Sequence, residues 1–144
     1  MKAPTVIMRI ALVFILVSAI ALAVALRAAP PRKPGPHAKV VALDAGGKGY
    51  LQVLGGPPDS VTMKSGLEAL APGQSVGKHS TGQHEELLVI LEGKGEMIFK
   101  DGSTLPVEAN HALYCPPETE HDVSNTGTGI LRYVYVVASI KGPE

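Results

Sequence analysis

From about residue 40 onward, apolar residues come in short runs separated by turn-forming residues. Runs at 40–43, 50–54, 61–70, 76–79, 86–91, 95–99, 104–107, 111–115, 120–124 and 130–138 predict strands,. Between them lie Gly46-Gly47, Gly55-Gly56-Pro57-Pro58, Pro72-Gly73, Gly93-Lys94-Gly95, Asp101-Gly102, Pro116-Pro117 and Asn125-Thr126-Gly127. Such residues supply the positive φ angles and fixed kinks that hairpins need. No stretch beyond residue 40 keeps a helical period for ten residues, so the pattern predicts an all-β sandwich or barrel over residues 40–144,.

Alternation assigns faces within the strands. Across 86–91, Glu86, Leu88 and Ile90 share one side, and Leu87, Val89 and Leu91 share the other,. Both sides are largely apolar, which predicts one lining a barrel interior and the other packing on a second sheet. A carboxylate among Leu and Ile needs a partner, because an unpaired buried charge is costly, and a metal ion would supply one. Across 131–137, Leu131, Tyr133, Tyr135 and Val137 alternate with Arg132, Val134 and Val136. The tyrosines either face inward, where their hydroxyls can orient a small polar substrate, or lie on the outer surface.

A different pattern governs the N-terminus. Residues 10–26 form an uncharged run whose only polar member is Ser18, preceded by Lys2 and Arg9 and followed by Arg27. This predicts a hydrophobic signal segment over 1–27, either cleaved after Ala25 or kept as a single-pass anchor over residues 7–26. Both versions predict export, to a periplasmic or extracellular location, secreted or held at the membrane. Residues 28–39 are Pro-rich and read as an extended tether, with His37 solvated in it,.

Charge narrows the partners. The chain carries thirteen acidic and thirteen basic residues, and without residues 1–27 ten basic residues face thirteen acidic ones. That balance, with no Trp and few other aromatics, argues against a nucleic-acid partner and leaves membrane contact to the N-terminal segment alone,. Cys115 is the single cysteine, so no intrachain disulfide forms, and it reads as a small buried side chain at a strand end,.

The candidate chemistry lies in His79-Ser80-Thr81-Gly82-Gln83-His84-Glu85-Glu86 and in Pro116-Pro117-Glu118-Thr119-Glu120-His121. A His/Glu cluster with one distant His is the spacing of a site assembled from two adjacent hairpins. Imidazole and carboxylate together suit a divalent transition metal: iron, manganese, zinc, nickel or copper.

On these residues the sequence resembles the cupin family, small jelly-roll barrels (double-stranded β-helices) with two spaced motifs. Gly73, His79, Glu86 and Gly93 keep the spacing of the first motif, with Thr81 where a second histidine is usual. Pro116, His121 and Asn125 keep the second, with Asn110 and Glu118 in place of its two glycines. Asn tolerates left-handed geometry, whereas Glu118 suggests a relaxed turn. The resemblance, over about residues 61–138, implies metal ligation by His79, Glu86 and His121. His84 is either a substitute fourth ligand for the histidine missing at Thr81 or a loop residue at the barrel mouth. Glu85 and His111 are expected on the solvent side.

Two functions remain open at this level. One is a metal-dependent enzyme on a small organic molecule, of dioxygenase, isomerase or lyase type. The other is a non-catalytic module capturing a small ligand or metal outside the cytoplasm. A metal-free scaffold is the fallback. A homodimer through edge strands near 40–54 is implied by the resemblance alone.

Overall fold

The computed structural model describes residues 35–141. The expected signal segment or anchor at 1–27 and most of the Pro-rich tether lie outside the described residues. Among the described residues no helix is long and apolar enough to cross a membrane.

Among the described residues nine strands form: β1 (Tyr50–Gly55), β2 (Lys64–Leu70), β3 (His79–Ser80), β4 (His84–Glu92), β5 (Lys94–Phe99), β6 (Thr104–Glu108), β7 (Ala112–Cys115), β8 (Glu120–Ser124) and β9 (Leu131–Ser139). They make a five-stranded sheet in the order β1-β2-β9-β4-β7 and a four-stranded sheet in the order β3-β8-β5-β6. All ladders between these strands are antiparallel. Apart from β1–β2 and β5–β6, each step along the chain crosses from one sheet to the other. This is the winding of a jelly roll, and it interleaves residues distant in sequence between the two layers.

The core lies between the sheets. Leu88, Ile90, Met97, Cys115, Val123 and Leu131 are each at most 2% exposed, with Leu70, Val107, Leu113 and Tyr133 packed around them. Asn125 is also buried, and its polar atoms are all used. Its Nδ2 donates to the carbonyls of Leu70 and Gly129, and its Oδ1 accepts from the Gly127 N–H at 2.8 Å. It thereby pins the β8–β9 loop to the end of β2, as a buried amide must to avoid an unpaired donor.

Three strand expectations need correction. Residues 40–43 form no strand: no neighbouring ladder takes up their backbone groups, and Val40 is 99% exposed. The 61–70 strand begins only at Lys64, because a turn precedes it in which the N–H groups of Asp59 and Ser60 bond the Gly56 carbonyl. The 76–79 strand shrinks to His79–Ser80, since Gly77 has a φ of 89° and Ser75 makes only an isolated bridge to Ser124.

The two faces of β4 also part company with expectation. Glu86, Leu88 and Ile90 point into the barrel, as alternation predicts. Leu87, Val89 and Leu91 do not meet a second sheet and remain 37–41% exposed. The four-stranded sheet covers the inner face of the larger one, and the two sheets have only one interior to share.

Candidate metal centre

His79 and His121 stand directly opposite each other on β3 and β8. Facing residues of an antiparallel pair project to the same side, so the two rings meet, with centroids 4.4 Å apart and planes inclined at 59°,. Glu86 enters from β4 in the other sheet. The candidate ligand atoms of His79, Glu86 and His121 all lie within 4.8 Å of one another.

Backbone carbonyls orient both imidazoles. His79 Nδ1 donates to the Gly77 carbonyl at 2.8 Å, and His121 Nδ1 to the Thr119 carbonyl at 3.3 Å. A proton placed on Nδ1 leaves the Nε2 lone pair free, which is how metal-binding histidines are commonly held. His121 Nε2 lies 3.2 Å from Glu86 Oε2, yet it is buried with no aligned hydrogen-bond partner. The approach is off hydrogen-bond alignment, so the ring nitrogen is left unsatisfied. A buried ring nitrogen without a partner, facing a carboxylate oxygen, suits a cation held between them.

Electrostatics follow from burial and the carboxylate. For His121, burial disfavours the charged ring, but the Glu86 contact, the Thr119 carbonyl and the charges of Glu86 and Asp122 outweigh it, so its pKa lies above the ordinary value. Burial, and then the Glu86 charge, push the Cys115 thiol up. Cys115 is fully buried with Sγ 3.5 Å from His121 Nδ1, so it packs as the expected small core side chain against the back of that ring.

Thr81, standing where a second histidine is usual, has a structural task. Its Oγ1 donates to the Pro116 carbonyl at 2.8 Å and accepts from the Thr119 N–H at 2.9 Å. It ties the β3–β4 turn to the turn that presents His121. His84 is not part of the group of three. Its Nδ1 turns back to the Thr81 carbonyl at 3.3 Å, and the side chain is half-buried.

The remaining polar residues lie where solvent reaches them. Exposed Glu85 accepts from the Tyr114 hydroxyl at 3.2 Å, and His111 sits exposed 3.9 Å from Glu108. His37 is exposed, its Nδ1 donating to the Gly35 carbonyl at 3.3 Å. The turn at Glu118 has not relaxed: Glu118 takes a φ of 57° and Asn110 a φ of 69°, the left-handed geometry that glycine would occupy more easily,.

A cavity of about 250 Å³ opens beside the three ligand candidates, lined also by Glu68, Val76, Val123, Tyr133, Tyr135 and Val137. The tyrosine face of β9 is therefore the inward one. Burial first, and then nearby carboxylates, raise the Tyr133 pKa. Burial, and then the bond to Tyr50, do the same for Tyr135, so both hydroxyls stay protonated at physiological pH. Glu68 is a site residue that sequence reading missed. Its signal was a lone charge inside the apolar stretch 67–70, the same kind of signal that marked Glu86.

Comparison with known proteins agrees with this fold. The Cupin_2 family model, described as a cupin domain, matches residues 66–137. A Cupin 2 conserved barrel domain protein from Salinispora arenicola superimposes with a TM-score of 0.61 at 21% identity, covering 72% of this chain and 91% of that one. A predicted oxalate decarboxylase from Thermotoga maritima gives 0.52 at 18% identity, covering 69% of this chain and all of its own length (100%). The Schizosaccharomyces pombe Cnp3 cupin domain gives 0.56 at 17% identity over 62% of this chain, which spans 63% of that structure's length. At these identities the likeness is one of fold. No curated protein matches the chain.

Proposed function

Because this chain belongs to the cupin family, we propose that it holds one divalent transition metal through His79, Glu86 and His121 and binds a small organic molecule in the adjoining cavity. The observation that carries this reading is the orphaned Nε2 of buried His121, 3.2 Å from a carboxylate oxygen and next to a second oriented imidazole. Two imidazoles with one carboxylate suit iron, manganese, zinc, nickel or copper and leave coordination positions open. When bound, such an ion supplies Lewis-acid or redox chemistry at those positions.

The protein's own groups would do the rest. The Gly77 and Thr119 carbonyls hold the two rings in the required tautomer. Val76, Val123 and Val137 keep the cavity wall apolar, and Tyr133 and Tyr135 offer protonated hydroxyls along it. The enzymatic reading, of dioxygenase, isomerase or lyase type, is supported by this combination of open ligand positions and cavity-lining hydroxyls. Oxygen uptake and product analysis with phenols, thiols and keto acids test it, and silence across the panel would favour a non-catalytic ligand-binding module.

The metal site is tested by metal analysis of the full chain as wild type, His79→Ala and Glu86→Gln. The wild type is expected to retain close to one ion per chain, and each variant to lose affinity by about ten- to a hundredfold or more. Equal retention by all three proteins would sink the site. His84→Ala, on this reading, leaves metal affinity unchanged.

We place the protein outside the cytoplasm on the strength of the apolar run 10–26 alone. The mass of the chain recovered from the membrane and exported fractions tests this. Full-length chain found only in the cytoplasm contradicts it.

A further inference from the structure

Glu68 has no role in the metal group, yet it lines the same cavity. On the inner face it stands opposite Tyr133 of β9, whereas Glu86 stands opposite Val137 of that strand. Four residues of extended chain separate those positions, roughly 13 Å along the sheet at about 3.3 Å per residue. The cavity therefore has two polar regions, the ligand cluster around Glu86 and the Glu68 carboxyl, with Tyr135 between them.

The wall between is held in place. Gly66 lies opposite Tyr135, and a Cβ there would come within 2.7 Å of the tyrosine ring, so the ring lies across β2 where only glycine leaves room. The Tyr135 hydroxyl meets the Tyr50 hydroxyl at 3.2 Å, which fixes its far end. Glu68 itself is half-buried, makes no ion pair among the described residues, and has its pKa raised by burial. Glu68 also lines a second groove, together with Lys48, Gln74 and Ser75. Among the described residues that line the cavity, none is Lys or Arg.

These positions decide what can lie in the cavity. An anionic oxygen is welcome at the metal end, where a divalent ion outweighs the single Glu86 charge. The other end presents the Glu68 carboxyl, so a second carboxylate placed there would face like charge with no cation in the cavity lining to offset it,.

We propose that Glu68 determines ligand specificity, selecting small molecules that bring a metal-binding oxygen at one end and a hydrogen-bond donor, an ammonium or a hydroxyl, at the other, and rejecting dicarboxylates. The proposal rests on the metal-centre reading above. Volume agrees: about 250 Å³ is below the usual range for drug-sized ligands and suits a short chain,.

The test uses the full chain loaded with manganese, with metal content measured first for each protein. Calorimetric titration then compares γ-aminobutyrate, γ-hydroxybutyrate and succinate, and the longer pair ε-aminocaproate and adipate. The wild type is expected to bind the ammonium or hydroxyl member of at least one length series about tenfold or more tighter than the dicarboxylate. Glu68→Gln is expected to keep its manganese and lose that preference, and Glu68→Lys to reverse it. Equal binding of both members by the wild type, no binding of any of the five, or an unchanged preference in Glu68→Gln would overturn the proposal. A wild type that takes up no manganese would instead remove the metal centre, and the specificity reading with it, a failure visible before any ligand is added.

Discussion

Glu118 and Asn110 hold left-handed backbone conformations with φ of 57° and 69°. For a side chain bearing a Cβ this region costs roughly 1–2 kcal/mol, less for Asn, whose short amide is tolerated there. The Glu118 N–H bonds the Gly82 carbonyl at 2.8 Å, so the turn keeps its shape and carries the strain. Glu118→Gly is therefore expected to raise stability by up to about 1 kcal/mol, part of the relief being offset by glycine's greater freedom in the unfolded chain. Asn110→Gly should gain less. Urea unfolding curves measure both, and a lower midpoint for Glu118→Gly would show that the side chain contributes more than its strain takes away. At this scale the chemical types and spacing of His79, Glu86 and His121 were legible from the sequence. The turn at Glu118 was not, because a residue's identity tells what its backbone prefers and the fold decides what it must adopt.

At the scale of elements, two glycines in connections that cross from one sheet to the other do different work. Gly93, between β4 and β5, has a φ of 81°, and a Cβ on it would fall 2.2 Å from the Ile130 carbonyl oxygen. Gly73 has a φ of 77° with nothing within 4 Å of that position. Gly93→Ala thus adds a clash with backbone to the cost of left-handed geometry, while Gly73→Ala meets the second alone. The expected losses are about 3 kcal/mol or more for Gly93→Ala and about 1 kcal/mol for Gly73→Ala, read from chemical denaturation. Similar losses for the two would mean that the loop before β9 yields easily. Most strands were legible because period-two alternation and turn residues are local signals. The lost strand at 40–43 and the shortened β3 were not, since a strand exists only where another strand accepts its hydrogen bonds.

For the whole molecule, metal binding and folding share the same side chains. The raised His121 pKa means that, in the metal-free protein, the protonated ring stabilises the fold below its unfolded pKa of about 6.5, and this contribution is lost as pH rises through the higher folded value,. The metal acts in the opposite direction, since it binds only neutral imidazoles. Thermal melts from about pH 6 to pH 8 should therefore show the chelator-treated protein losing part of its stability. The stabilisation conferred by zinc should grow over the same window, reaching about 2.7 kcal/mol when free metal is a hundred times the dissociation constant. A pH slope that is the same with and without zinc would contradict the assignment of His121 as a ligand.

Legible in the linear chain were its folding as strands, the residues of β4 and β9 that share a face, and the His and Glu residues that could meet an ion. These follow from alternation, residue chemistry and motif spacing, all of which are properties of the linear chain. Tertiary structure alone decided that Thr81 braces two turns, that His84 bonds back to the Thr81 carbonyl, and that the outer side of β4 stays open. It also decided that Glu68 on β2 lines the same cavity as His79, Glu86 and His121. The jelly-roll winding brings together residues from β2, β3, β4 and β8, up to fifty-three positions apart between Glu68 and His121. Which of them face one another depends on the pairing register of strands far apart in the chain, and no local pattern encodes that.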